Sequence, residues 1–185
     1  IEFSKKVNAT VSKSPRNEDY KIQNAIATQL NSQGFSEMMA NSLTTATYAT
    51  LSDDINNSHN VTMLNPLSAD LATMRQSLLF SGLEAVSYNI NRKNSDLKLF
   101  EFGKTYHNYL AGYEEKKHLS LFLTGCKNQE SWVSAQKPSD FFLFKGYVTG
   151  ILLRLGIIKT QNIPANSDVF SEGIAIGFGT DILVE

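Results

Sequence analysis

Ser139-Asp140, then Phe144, Val148, Ile151, Leu152 and Leu155, then Gly156, form the segment that leaves this chain the fewest folds. The apolar positions recur at helical spacing, a short polar residue can cap the first turn, and glycine suits the stop. Such a helix needs an apolar surface to lie on. Leu97–Phe102 and Leu119–Leu123 read as strands that could supply it. A second helix is expected from Ser14-Pro15 through Glu18 and Asp19, with Ile22, Ala25, Ile26 and Leu30 on one face and Gly34 as its stop. A third stripe runs through Leu71, Met74, Leu78, Leu79, Leu83, Val86 and Ile90, with Gly82 as a break or a close contact. These helices and strands follow one another without a βαβ rhythm. The expected fold class is therefore α+β, an antiparallel sheet flanked by helices, in one domain covering residues 1–185.

Smaller elements fill the intervals. Phe35–Leu43 reads as a strand, Thr44–Leu51 as a short helix and Ser52–Asn60 as a polar loop. Val61–Leu64 reads as a strand stopped by Asn65-Pro66, because proline lacks a ladder donor. Ser68 can cap a turn opening at Asp70. Asn108–Lys117 is expected to be a mobile connection, and a loop containing Pro164 leads to a final strand at Gly173–Phe178.

Charge and composition then remove whole classes of function. Lysine plus arginine number 17 against 18 acids, so there is no basic excess of the kind that tracks a phosphate backbone. Charged residues are only 19%, and polarity comes from Asn, Ser and Thr, which suggests surface that expects cover. Cys126 is the sole cysteine, so an internal disulfide and a thiolate zinc site are excluded. It reads as an idle thiol in a reducing compartment, and a cytoplasmic location is expected. No apolar run approaches the ~20 residues needed to span a bilayer, so no membrane contact is expected. The chain starts at Ile1 without a charged-then-apolar leader and reads as a segment of something longer.

No P-loop, nucleophile elbow, zincin or C-x-x-C pattern occurs. Gly177-Phe178-Gly179 lacks a third glycine and a following helix, so it reads as a flexible strand end. His59, His107 and His118 share no metal-ligand spacing, and pairing Cys126 with His118 as nucleophile and base has nothing in sequence to activate it. No catalytic, cofactor-binding or metal residue is nominated. What stands out is Arg75 inside an apolar stripe and Glu101 inside an apolar strand. Either the two charges meet behind a sheet, or Arg75 snorkels and Glu101 lies at a strand edge.

Taken in order, Asn65-Pro66-Leu67-Ser68, Met74-Arg75-Gln76-Ser77-Leu78-Leu79, Asn89 with Arg92, and Phe100-Glu101-Phe102-Gly103 resemble the β chain of bacterial phenylalanyl-tRNA synthetase, in its synthetase-like core module. Gly34-Phe35-Ser36-Glu37, Leu123-Thr124-Gly125, Trp132 and Phe141-Phe142 ahead of Lys145-Gly146 agree, and the likeness covers about residues 18–179. It implies a class II aminoacyl-tRNA synthetase-like fold and a partner α chain that carries the active site. It also implies a second αβ pair, tRNA(Phe) bound through the holoenzyme, and ATP with Mg2+ as holoenzyme cofactors.

Adenylation needs fixed cations around the triphosphate. Class II enzymes use an arginine in a strand-loop-strand motif and another after a glycine-rich strand. Here the strand carries Phe100-Glu101 where the family pattern of active enzymes has Arg-x-Glu, and no arginine follows Arg154. The resemblance thus implies a fold without its active site, with Arg75 and Glu101 as a structural tie. The helix and strand before the active-site motifs form the dimer face in class II proteins. That maps the subunit interface onto Ile22, Ile26, Leu30, Met38 and Met39. The alternative is a divergent class II enzyme domain that itself binds ATP or an amino acid.

Overall fold

The computed structural model describes residues 18–53, 55–128, 131–133, 135–165 and 167–184. The expected helix start at Ser14-Pro15 lies outside them. Helix α1 spans Asp19–Ser32 and ends against Gly34. Ile26 and Leu30, one turn apart, are its buried positions. They pack with Phe35, Phe100 and Ile151 into one core cluster, ringed by Ala27, Phe102, Leu119, Leu121 and Tyr147. Burying each large apolar side chain there contributes about 1.5–3 kcal/mol.

The sheet under α1 is built from β1 (Ser36–Glu37), β4 (Lys98–Tyr109) and β5 (Gly112–Leu123), in the order β1-β4-β5. β4 and β5 form a continuous antiparallel hairpin, from Lys98 opposite Leu123 to Tyr109 opposite Gly112. The expected mobile connection at 108–117 is therefore regular sheet. The mixed run Glu114-Glu115-Lys116-Lys117 hides the strand signal, and Glu115 pairs across the hairpin: Lys104 Nζ sits 2.7 Å from its Oε2. β1 runs parallel to β4, with Glu37 beside Phe100, and Met38 N donates to Phe100 O at 2.8 Å. The expected strand 35–43 then leaves this sheet. Its far end, β2 (Leu43–Thr44), pairs antiparallel with β3 (Thr73–Met74).

The third helical stripe is only partly a helix. Leu71 closes a 3-10 turn (Ala69–Leu71) and Met74 belongs to β3; α2 occupies Leu79–Ile90. Leu71 N donates back to Ser68 O, and the residues after it are held by non-local bonds that spacing cannot reveal: Met63 N to Ala72 O and Met74 N to Val61 O. Val61–Leu64 contributes a single bridge, Thr62 to Thr73, in place of the expected strand. Gly82 does not break α2. A Cβ there would stand 1.8 Å from the Phe122 ring, so its bare face lets α2 lie on β5.

Asp140 caps α3 (Phe141–Arg154), its Oδ1 accepting from Leu143 N at 2.7 Å. Ile151 faces the first core cluster. Val148 and Leu152 face a second, with Ile176 from a small antiparallel sheet of β6 (Gln161–Pro164), β7 (Ile174–Phe178) and β8 (Asp181–Val184). Pro164 thus ends an edge strand, where its missing donor costs nothing. Apart from the short β1–β4 pair, every strand pairing is antiparallel among the described residues.

Candidate functional site

Arg75 sits where β3 hands over to α2, and its backbone is clamped on both sides. Its N–H donates to Ser42 O at 2.9 Å and its carbonyl accepts from Tyr106 N at 3.0 Å. That fixes the side chain across β4. Nε donates to Lys104 O at 3.1 Å, and Nη1 donates to Glu101 Oε1 at 2.8 Å. Ala40 N also reaches Glu101 Oε1, at 3.3 Å. The two side chains are 5% and 2% exposed, so the charges meet behind the sheet rather than snorkelling or lying at an edge. Gly103 makes room: a Cβ there would stand 2.5 Å from Arg75 Nη2 and 2.5 Å from Leu78 Cδ2. Glu101 Oε2 is buried and accepts no hydrogen bond among the described residues.

Arg75 and Ala40 also line a cleft of about 400 Å³ between β2, β3, the 3-10 turn Ala46–Thr50 and the start of α2. Phe80 and Tyr48 stack across it, with ring centroids 4.5 Å apart and planes 10° from parallel. The Tyr48 hydroxyl donates to the Glu84 carboxylate. That bond, with some burial and the adjacent negative charge, pushes the phenol up to about 12. Gln76 Nε2 ties the other wall, donating to Asn56 O at 2.9 Å and Asn60 Oδ1 at 2.6 Å.

Charge decides what the cleft can hold. Among its described lining residues, Arg75 is the only cation, against Asp70 and Glu84. Arg75 is already neutralised by Glu101. Arg92 lies over the Tyr88 ring at 3.4 Å to the centroid, and Arg154 lies exposed in the last turn of α3. A triphosphate would meet carboxylates there and no unpaired guanidinium, so these residues do not fit a nucleotide. Gly177-Phe178-Gly179 lies at the β7–β8 hairpin, with Gly179 at φ 65° in the turn, and no helix N-terminus follows it among the described residues.

The five residues mapped to a subunit face do not share one. Ile26 and Leu30, at 5% and 0% exposure, belong to the core of this domain, because the α1 face that carries them covers its own sheet. Ile22 on α1 and Met39 after β1 are exposed, Met39 at 95%, and Met38 is half-buried. His118 Nε2 lies 3.0 Å from Thr105 Oγ1, not against Cys126, and burial lowers its basicity. His59 and His107 both contact the Tyr109 ring near the hairpin tip, and among the described residues no cluster of metal-ligating side chains forms. Trp132 is fully exposed. Sequence reasoning missed the Tyr48–Glu84 bond altogether: 36 residues separate the partners, and no spacing links them.

Comparison with known proteins agrees with this architecture. The model of the phenylalanyl tRNA synthetase beta chain CLM domain matches residues 4–176. The phenylalanine–tRNA ligase beta subunit of Bacteroides thetaiotaomicron is 39% identical over 188 residues, covering 95% of this chain and 23% of that protein. Its counterpart from Bacteroides fragilis (strain YCH46) is 41% identical over 167 residues, 84% of this chain and 20% of the relative. The chain thus spans about a quarter or less of these relatives' length. Among solved structures, a pyrrolysyl tRNA synthetase of Desulfitobacterium hafniense superposes with TM-score 0.65 at 18% identity, covering 91% of this chain and 57% of that one. An ATP phosphoribosyltransferase regulatory subunit/histidyl-tRNA synthetase from Bacillus halodurans gives 0.58 at 13% identity, covering 82% and 38%. These two likenesses concern the fold: class II synthetase-like, α+β.

Proposed function

Because the chain belongs to the phenylalanyl tRNA synthetase beta chain CLM-domain family, we propose that it is the non-catalytic synthetase-like scaffold of such a β chain, pairing with a catalytic α chain in attachment of phenylalanine to tRNA(Phe). The observation that carries this reading is the state of Arg75: the one cation among the cleft's described lining residues is spent on Glu101, 2.8 Å away, and two further carboxylates stand in the wall. Electrostatic stabilisation of a transferring phosphoryl group requires cations preorganised for it, and a guanidinium bound to a buried carboxylate is not available. Arg75 and Glu101 act as a structural tie that holds the 39–44 segment, β3 and β4 together. In the assembly, ATP and Mg2+ serve the α chain's site, tRNA(Phe) is held by the holoenzyme, and two αβ pairs form a cytoplasmic heterotetramer.

The docking face in this reading is the part of the mapped set left outside the core: exposed Ile22 and Met39, with half-buried Met38. Uncharged, adaptable side chains of this kind suit a lasting subunit contact. Co-expression of the full-length β chain with its α chain tests the proposal. A stable complex that charges tRNA(Phe), and loses charging when the β chain is withheld, is the expected result. Charging by the β chain alone would end the reading.

A further inference from the structure

Three rings meet where the 3-10 turn Asn57–His59 lies on the β4–β5 hairpin. The His59 and Tyr109 centroids are 4.6 Å apart, and the His107 ring lies 5.7 Å from Tyr109 with planes 8° from parallel. His107 is half-buried, and its Nδ1 is shielded from solvent without a hydrogen-bond partner among the described residues. The other side of the turn is tied to the approach to α2. Gln76 Nε2 donates to Asn56 O at 2.9 Å and to Asn60 Oδ1 at 2.6 Å. Gln76 follows Arg75, so the turn clasps the hairpin to the segment that carries the buried ion pair.

The surrounding charges suit a neutral His107. The hairpin register sets Glu114 opposite His107, Lys116 opposite Thr105 and His118 opposite Gly103, all on one face of the sheet. Among the described residues these three from β5 and His59 from the turn are the charged or titratable groups that act on His107, with the Tyr109 ring beside it on β4. Glu114 is the sole carboxylate of that group, and it is already engaged, 3.4 Å from Lys116 Nζ. Burial first, and Lys116 next, hold the imidazole below its ordinary basicity. A proton on His107 would sit near Lys116, with a second imidazole across the Tyr109 ring and one shared carboxylate to offset them all.

We propose that the turn Asn57–His59 is an acid-released clasp: protonation of His107 drives the turn off the hairpin and frees Gln76, while the core stays folded. The release is local, since neither apolar core cluster draws a residue from 55–62. Once the turn has left, His107 returns to the ordinary value of 6.5, so the closed form is favoured above that pH and loses ground as the pH falls below it. The scaffold reading neither requires this clasp nor falls with it.

Hydrogen–deuterium exchange on the full-length β chain assembled with its α chain tests the clasp, compared at about pH 8 and about pH 5 after correction for intrinsic exchange. The reporters are the amides of His59 and Asn60, which donate to Asn56 O at 2.9 Å and Asn57 O at 3.2 Å. Their protection is expected to fall by about threefold or more at the acid pH, while α1 and α3 keep theirs. His107→Phe keeps a flat ring against Tyr109 and cannot take a proton, so its protection should be nearly the same at both pH values. Should that variant not fold, Lys116→Gln carries the test. Lys116 is exposed, and its loss removes the neighbouring cation and leaves Glu114 to face His107, so the acid loss should shrink by about half. Protection indifferent to pH, a loss shared equally by α1 and α3, or an undiminished loss in the variant that folds would overturn the proposal.

Discussion

Arg75 Nη1 and Glu101 Oε1 lie 2.8 Å apart, 26 residues apart in the chain, with almost no solvent at either side chain. The pair is the only ion pair with both partners buried among the described residues; the other four are exposed. Removing one partner leaves the other charged and dry. Arg75→Ala or Glu101→Ala is therefore expected to cost about 3–5 kcal/mol in urea unfolding. Replacing both by apolar residues, Arg75→Met with Glu101→Leu, should recover most of it, because the desolvation cost of two charges disappears together. Equal losses in single and double variants would show that the pair does not act as a unit.

Gly82 and Gly103 are expected to resist substitution for a steric reason. Gly82→Ala drives a methyl into the Phe122 ring, and Gly103→Ala drives one between Arg75 and Leu78. Each should destabilise by about 1–3 kcal/mol. Phe122→Leu should soften the first and not the second. A chemical-denaturation double-mutant cycle over these three positions reads the difference.

Ile26 and Met39 separate core from surface. Ile26→Asp places a charge in the cluster of Leu30, Phe35, Phe100 and Ile151, so loss of the folded domain is expected by circular dichroism. Met39→Asp changes an exposed side chain, so the fold should survive while sedimentation shows a weakened α–β complex. An undiminished complex with Met39→Asp and Ile22→Asp combined would remove this face from the interface.

Those contrasts also mark how far the sequence could be read. Helices α1 and α3 were legible because their apolar positions and stops are local, and Asp140 caps as expected. The charges of Arg75 and Glu101 were conspicuous inside apolar runs, though whether they met was left open. The hairpin at 108–117 was not legible. Its strands are charged on both faces there and held by cross-strand register. Leu71 and Met74 sit at helical spacing, yet Leu71 closes a 3-10 turn and Met74 pairs with Val61 and β2. Ile26 and Leu30 read equally well as an outer or an inner face, because periodicity gives a stripe without saying what covers it.

Tyr48 and His118 give the domain opposite pH edges. The Tyr48 phenol is raised to about 12 from an unfolded value near 10, so its contribution is intact below about pH 10 and is lost as the pH rises toward 12. Tyr48→Phe should remove that alkaline loss. His118 is lowered by burial from 6.5, with Lys116 adding to the effect, so its contribution is present above that pH and is lost as the pH falls below it. His118→Gln should flatten the acid limb alone. Thermal melts across pH for both variants check the two signs.

Isothermal titration of ATP-Mg into the full-length β chain, free of its α chain, bears most directly on whether this fold has kept the scaffold and lost the chemistry. The account predicts no saturable heat, because no unpaired cation among the described residues lines the cleft to receive a triphosphate. A saturable one-site response, with the nucleotide located against Arg75, would contradict it.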